Sequence, residues 1–543
     1  MQPYHPRSAL ETHTVANQPE PRENLELWAD DRPLQALIER FAPGQAGGLA
    51  RFAAEIGTAD VVEEGRLANR HPPELVIFDR TGRRLDEVRF HPAYHTLMQR
   101  GIGAGYAALP WTGGEPGGHV AHAAMVYLLT QVEPGVCCPM TMTYAAIPAL
   151  AASPALEAAW RPGATSRRYD GRALPAGMKA GLTIGMAMTE KQGGSDVRAN
   201  RTTAEPDGAG YRLTGHKWFC SAPMSDAFLT LANLPEGLTC FLVPRWTPDG
   251  ERNAIQLMRL KDKLGNRSNA SAEIEYHAAW AERLGDPGRG VATILEMVHH
   301  TRLDTALAPA GLMRRAVAEA AWWARRREAF GRKLVDQPVM TAVLADLALD
   351  WMGALAVGLR VAAAFDRGGD ETERAFARLA VALGKYWSNK RCGPVVIEAM
   401  ECLGGSGYVE ESPMPWLYRE APLNAIWEGS GNVICLDVLR TVGRLPQALE
   451  ALYAEIADAA HADPRLAAAL DAARNRYRAG VEESEARAFV ETHALLLQAA
   501  LLLRDQPGAV ADAFIRTRLA GDWGRTPGTL PGGVDAAAIA ALI

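Results

Sequence analysis

The stretch that decides the fold is Leu182-Thr183-Ile184-Gly185-Met186-Ala187-Met188-Thr189-Glu190-Lys191-Gln192-Gly193-Gly194-Ser195-Asp196, where an apolar run ends in a turn-forming, hydroxyl-bearing segment. On its N-terminal side, from about Leu34 to Ala180, the chain is rich in Ala and Leu at helical spacing. Ala121 to Val132 is an example, and Pro110, Gly113, Gly114, Pro116 and Gly117 punctuate the pattern. On its C-terminal side, as far as about Arg283, the texture changes to short apolar runs: Leu182 to Met188, Tyr211 to Phe219, Ala227 to Leu234, Leu238 to Val243, Ile255 to Leu260 and Ala272 to Tyr276. These runs predict the strands of a small all-β unit, with Thr214-Gly215 as a tight turn. After Pro287 the helical period returns over Val291 to Phe330, Gln337 to Phe365 and Glu371 to Met400. From Thr441 onward a further Ala-, Leu- and Arg-rich stretch, divided by Pro446, Pro464, Pro507, Pro527 and Pro531, predicts several more helices. A poorly ordered Gly/Pro tail is expected near Thr526 to Gly533. The expected units are therefore 1–180, 181–283, 284–440 and 441–543.

Composition narrows the function classes. A chain of 543 residues exceeds a single core, and 48% hydrophobic with 22% charged residues and a net charge of -6 describes an ordinary globular protein, with no bulk signal for nucleic acid. The seven cysteines show neither paired metal-ligand spacing nor disulfide density, so no metal is expected and reduced thiols in a cytoplasm are the simplest account. Met1 to Val15 lacks the apolar core of a leader, and no uninterrupted run reaches the roughly 18 apolar residues of a membrane span. A cytoplasmic protein without a membrane partner is expected.

Four segments carry chemistry, each beside a plainer explanation. Thr189 and Ser195 offer hydroxyls, and Gly193 and Gly194 let backbone N–H groups approach a flat redox ring, although such a tetrapeptide also serves as a simple turn. Trp218 and Phe219 point to opposite strand faces, so one packs inside while the other covers a planar ligand beside Ser221, or both merely fill a core. Arg325-Arg326-Arg327-Glu328-Ala329-Phe330-Gly331 closes a long helix, where cations favour the macrodipole in any protein; Arg327 is also placed to reach a diphosphate, with Gln337 for adjoining groups. Gly404-Gly405-Ser406-Gly407 reads as a helix C-cap or as a ligand loop. In Arg419 to Asn432 the helix is expected to begin near Ser430, which leaves Glu428 in the loop ahead of it. A carboxylate there favours the dipole, or, if desolvated in an apolar pocket, has the raised pKa of a general base.

The order of these segments resembles the acyl-CoA dehydrogenases over most of residues 90–440. The resemblance implies a mostly α fold with a central β-barrel unit, a four-helix unit after it and an added C-terminal helical unit. It also implies tightly bound FAD, a homotetramer, and removal of an α-proton by a carboxylate with hydride transfer from the β-carbon to flavin. Position by position it assigns Met188, Thr189, Gly194 and Ser195 to the isoalloxazine and diphosphate, and Trp218, Phe219 and Ser221 to the flanks of the ring. Arg327, Phe330, Gly404 and Gly405 are assigned to FAD across a subunit interface. Trp427 joins the cofactor set, Ser430 and Asn432 stand where the family usually has Thr and Gln, and Gln337 falls one residue short of the usual spacing from Phe330. Glu428 matches the commonest position of the base.

Within that family the chain is similar to the AidB branch, associated with the adaptive response to DNA alkylation. Thr12 to Pro19, Gly65 to Asn69, Lys261 to Ser271 and Leu417 to Arg440 carry this closer likeness. It implies binding of double-stranded DNA through the added unit, help in protecting DNA from alkylation, and weak acyl-CoA dehydrogenase activity. Charge argues the other way, because residues 441–543 hold 10 Arg and no Lys against 13 Asp and Glu, a net charge of -3. A local basic face drawn from Arg474, Arg476 and Arg478, or Arg516 and Arg518, with Arg440 nearby, would still serve phosphate contacts; ordinary salt-bridged helix faces are the alternative. The competing functional reading is a catabolic acyl-CoA dehydrogenase with an appended oligomerisation unit.

Overall fold

The computed structural model describes residues 6–543, so the start of the Met1 to Val15 stretch lies outside the described residues. The first unit comprises α1 (Arg32–Phe41), α2 (Ala46–Ile56), α3 (Ala59–Arg70), a hairpin of β1 (Glu74–Phe78) and β2 (Arg84–Arg89), then α4 (Pro92–Ala104), α5 (Gly118–Thr130), α6 (Cys137–Leu150) and α7 (Pro154–Ala164). Asp31 caps α1 by accepting from Leu34 N, with a proline in the first turn. The hairpin was not expected; it pairs antiparallel through Leu75 and Val88 and lies against the β unit, where Val88 joins that unit's core.

The β unit contains β3 (Ile184–Ala187), β4 (Thr203–Asp207), β5 (Gly210–Ser221), β6 (Ala227–Leu234), β7 (Gly237–Pro244), β8 (Ile255–Leu260) and β9 (Ser271–Leu284) in one seven-stranded sheet. Its pairings close on themselves: β6 meets both β4 and β7, and β5 and β9 complete the ring, which is the barrel expected from the resemblance. Thr214-Gly215 is not a turn. The strand β5 continues through it with a register shift between Leu213 and Thr214, and Gly215 at φ 154 leaves room that a Cβ would take from Thr202, 2.5 Å away. A second shift between Lys217 and Cys220 breaks the alternation expected for Trp218 and Phe219. Lys217 and Cys220 face inward, fully buried, whereas neither aromatic ring enters the barrel core.

The helical period resumes in α8 (Gly290–Ala324), followed by a small hairpin of β10 (Glu328–Ala329) and β11 (Arg332–Lys333), then α9 (Pro338–Asp366), α10 (Glu371–Cys402), α11 (Met414–Glu420) and α12 (Gly431–Arg444). The helix expected to reach Phe330 therefore stops at Ala324. Phe330 and Gly331, at φ 55 and 78, form the two-residue loop of the hairpin, which suits a primed turn. The added unit follows as α13 (Pro446–Ala460), α14 (Pro464–Arg476), α15 (Ala486–Asp505), α16 (Gly508–Phe514) and α17 (Ala536–Ala540).

Helix α9 is the axis of the helical part, buried on all sides by α5, α8, α10, α15 and α17. Among the described residues, it and the helix over Glu483–Asp505 are the two that length and composition alone would allow to cross a membrane, yet both are largely interior. Buried charge in α9 is paired: Asp350 with Arg391 at 2.7 Å and Arg360 with Glu373 and Glu455 at 2.8 and 2.9 Å. Asp346 holds the tail that was expected to be loose, receiving Trp523 Nε1 at 3.0 Å and Gly528 N at 2.7 Å.

Candidate active site

The loop after β3 is fixed from beneath by a buried ion pair. Glu190 and Lys217 are both inaccessible, with Nζ to Oε1 at 2.8 Å, and Lys217 also donates to Leu231 O. The carboxylate further accepts from Arg201 N, Thr202 N, Thr202 Oγ1 and Gln192 Nε2. Burial pushes the Glu190 carboxyl up, but Lys217 and the Arg201 and Thr202 donors outweigh it and bring the group down to about 2. Above this anchor, Trp218 N donates to Thr189 O at 2.7 Å, and Asn200 Nδ2 donates to Met188 O at 2.9 Å, which joins the two predicted cofactor segments.

The loop surface suits a flat anionic cofactor. A Cβ on Gly194 would stand 2.6 Å from Thr189 Oγ1, whereas at Gly193, φ 153, nothing lies within 4 Å and the backbone is open to approach. Ser195 is exposed. Trp218 and Phe219 share the cation of Lys261, at 3.2 and 4.7 Å from their ring centres, and Lys191 and Arg259 also face Trp218. Ser221 Oγ lies 3.3 Å from Ser271 Oγ. These open glycines, ring faces and cations fit the isoalloxazine and diphosphate of FAD.

Glu428 lies in the loop between Leu423 and Gly431, ahead of the N-cap Ser430. Its φ of 56 and that of Gly429, 100, place two consecutive residues in the left-handed region, an uncommon state for glutamate. Three groups hold that geometry. Lys385, buried in α10, donates to Asn424 O at 3.0 Å and Gly429 O at 2.7 Å; Arg302 Nε reaches Glu428 O while its Nη1 pairs with Asp437 at 2.6 Å; and Trp427 Nε1 donates to Asn424 Oδ1 at 2.7 Å. The Glu428 carboxylate itself accepts from Thr301 Oγ1 at 2.8 Å. Burial raises its pKa above the ordinary value, opposed by the Thr301 bond and by the Lys385 and Arg302 charges. Burial likewise pushes Lys385 down to about 7.

The start of α6 links the two halves. Burial pushes the Cys138 thiol up to about 12, while the charges of Lys263 and Glu428 act on it and Asn269 and Ser221 hydrogen-bond to it. Ser221 and Glu428 therefore both lie near Cys138, and Cys138, Met142 and Tyr144 belong to one apolar cluster against which Trp111, Met188 and Trp427 also pack.

The remaining predicted cofactor residues lie on other elements, except Ser430 and Asn432, which follow Glu428 in the chain. Phe330 is 97% exposed at the hairpin tip, Arg327 donates to Asn17 O, and Gln337 Nε2 donates to Ala329 O at 3.0 Å. Gly404 is left-handed just after α10, Gly405 follows in a short 3-10 turn, and Ser430 and Asn432 are exposed at the start of α12. Lys385, Thr301 and Arg302 were not anticipated from the sequence. A lysine inside the apolar run Ala382-Leu383-Gly384-Lys385-Tyr386 was the available signal.

The arginines expected to bind DNA divide sharply. Arg518 is buried at 2.5 Å from Asp346 and 3.4 Å from Asp350, which removes it from any surface. Arg516 pairs with Asp522, Arg476 with Glu485, and Arg474 lies 4.0 Å from Asp471. Arg440 and Arg478 are exposed and, among the described residues, have no acidic partner.

Comparison with known proteins places these features in a family. Residues 17–171 match the adaptive response protein AidB N-terminal domain, residues 185–279 the acyl-CoA dehydrogenase middle domain and residues 288–443 the acyl-CoA dehydrogenase C-terminal domain. The chain is 51% identical to the putative acyl-CoA dehydrogenase AidB of Escherichia coli (strain K12) over 80% of its own length and 81% of that protein's. It is 33% identical to acyl-CoA dehydrogenase family member 11 of Caenorhabditis elegans over 76% and 70% of the respective lengths. Among solved structures, Caenorhabditis elegans ACDH-11 in complex with C11-CoA aligns with a TM-score of 0.85 at 28% identity, covering 96% of this chain and 94% of that one. The Bacillus anthracis acyl-CoA dehydrogenase complexed with FAD shares the fold, with a TM-score of 0.70 at 16% identity over 89% and 87% of the two chains. The chain accordingly belongs to the acyl-CoA dehydrogenase family, a family of FAD-dependent oxidoreductases, and within it to the AidB branch.

Proposed function

We propose that this protein oxidises an acyl-CoA thioester at the α,β-position, with Glu428 as the base. The single observation that carries this reading is the Glu428 loop: a carboxylate with raised pKa, held in a left-handed backbone by Lys385 and Arg302, near Cys138 and Ser221. FAD, when bound, supplies the two-electron acceptor. Met188, Thr189, Gly194 and Ser195 would hold it, together with Trp218, Phe219 and Ser221. Glu428 takes the proton from the carbon next to the thioester carbonyl, and its raised basicity suits that task near neutral pH. Thr301 orients the carboxylate through its hydroxyl. Phe330, Arg327, Gln337, Gly404, Gly405, Ser430 and Asn432 complete the cofactor site of a neighbouring subunit in a homotetramer, which accounts for a bare phenyl ring at a hairpin tip. The C11-CoA bound by the Caenorhabditis elegans relative supports the choice of substrate class.

The test is anaerobic titration of the yellow, FAD-bearing protein with acyl-CoA esters. Loss of the flavin's visible absorbance is expected; a spectrum unmoved by every ester overturns the reading.

The unpaired Arg440 and Arg478 favour a second, accompanying role, binding of duplex DNA in the service of alkylation protection. Removing an arginine that neutralises a phosphate should flatten the salt dependence of binding. Arg440→Glu with Arg478→Glu is expected to weaken duplex binding at low salt, and unchanged affinity would remove this role from those residues.

A further inference from the structure

The segment Thr12 to Pro19 carries part of the likeness to the AidB branch, and the chemistry proposed above leaves it without a role. It belongs to a strap fastened to the C-terminal end of α8. Ala9 and Thr14 pair in an antiparallel bridge, and Trp322 Nε1 donates to Glu20 O at 3.0 Å. Asn17, lying between them in the chain, meets the β10–β11 hairpin. Its Nδ2 donates to Glu328 O at 2.8 Å, its Oδ1 accepts from Glu328 N at 2.7 Å, and its own carbonyl accepts from Arg327 Nη1.

One side-chain amide thus engages both backbone groups of a single residue, the double pairing that a neighbouring antiparallel strand supplies. The hairpin depends on such help. It has only two rungs, Glu328 with Lys333 and Ala329 with Arg332, and a two-stranded ribbon of that size does not persist by itself. Its other fastenings are Leu334 N on Arg327 O at 2.9 Å and Gln337 Nε2 on Ala329 O at 3.0 Å. Asn17 also suits its own backbone, since its φ of 55 lies in the left-handed region, which asparagine enters more readily than most residues. In that conformation its amide and its carbonyl reach the same hairpin. Arg327 uses only Nη1 on the strap. Its Nε and Nη2, the edge that pairs bidentately with a phosphate, have no hydrogen-bond partner among the described residues.

Building on the reading that Arg327 and Phe330 complete the cofactor site of a neighbouring subunit, we propose that Asn17 is a positioning residue for FAD. It fixes the hairpin and the Arg327 guanidinium in the arrangement that receives the diphosphate of the cofactor bound by a second copy of the chain. The strap thereby links the N-terminal extension to cofactor retention without touching the cofactor.

The experiment is titration of the apoprotein with FAD, read by flavin fluorescence. Asn17→Ala is expected to raise the FAD Kd about ten-fold through loss of two hydrogen bonds. Asn17→Gly, which keeps the left-handed backbone and its carbonyl but lacks the amide, is expected to raise it in the same direction and by less. In an Arg327→Ala background the Asn17→Ala change is expected to have a smaller effect, because the two residues act as one unit. A strap that merely anchors the N-terminus gives a different result: a lower melting temperature of the apoprotein with Kd unmoved. That result, natural FAD affinity in both Asn17 variants, or additive losses in the double variant overturns the inference and leaves the dehydrogenase reading standing, since flavin still binds and Glu428 is untouched. An Arg327→Ala change that leaves Kd unmoved overturns the inference together with the assignment of Arg327 to the cofactor. Failure of the natural apoprotein to take up FAD overturns both readings. If Asn17→Ala does not fold, Asn17→Gly alone and combined with Arg327→Ala decides.

Discussion

Two loops of this molecule each bury a glutamate beside a lysine, and they make opposite use of it. At Glu190 the lysine meets the carboxylate directly, two backbone N–H groups, a hydroxyl and an amide fill the remaining lone pairs, and the acid is held at about 2. At Glu428 the lysine turns to two backbone carbonyls instead, one hydroxyl serves the carboxylate, and burial keeps its proton affinity high. The difference teaches that donor count around the oxygens, more than the presence of a nearby cation, separates a structural carboxylate from a reactive one.

The comparison can be broken most decisively at the reactive end. Glu428→Gln is expected to lower kcat by about 10²–10⁴-fold while leaving FAD content and thermal stability unchanged; stopped-flow reduction of the flavin measures it. At the structural end, Lys217→Met strands a buried carboxylate and should cost about 3–5 kcal/mol in denaturant melts. The natural pair has a linked pH signature. Because the folded Glu190 titrates at about 2, below the ordinary carboxylate range, its contribution is complete above that range and is lost as pH falls toward about 2. Melting temperatures across that acid range should show a steeper loss in the natural protein than in Glu190→Gln. Gly194→Ala should weaken FAD retention by about ten-fold, or about 1.4 kcal/mol, since its methyl group displaces the Thr189 hydroxyl. The smallest expected effect sharpens the contrast: Thr301→Val removes a bond that lowers the Glu428 pKa, so the acid limb of kcat/KM should move to higher pH. A shift to lower pH would show that Thr301 does not act on the base.

Much of the layout was legible because periodicity is local. The runs at Ala227 to Leu234 and Ile255 to Leu260 coincide with β6 and β8, and the long helices begin within a residue of where the pattern places them. What escaped was set by tertiary partners. Strand β4, Thr-Ala-Glu-Pro-Asp, has no apolar alternation and exists because β5 pairs with it; the bend at Gly215 is made possible by Thr202 on another segment. In the site, Glu428 could be singled out from its place ahead of a helix, but the left-handed backbone that aims it comes from Lys385 and Arg302, 43 and 126 residues away. Arg518 shows the same limit in reverse. A pair of arginines in a unit of net negative charge suggested a local basic face, and a partner on α9 took Arg518 inside.

That partner, Asp346, sits at the heart of the bundle yet is neutralised by a segment more than 170 residues later in the chain. Cutting away the terminal segment to ask what it recognises would therefore orphan an anion in the driest part of the molecule. A truncated protein would report its own collapse, and only single side-chain replacements on the outer helices can separate recognition from folding.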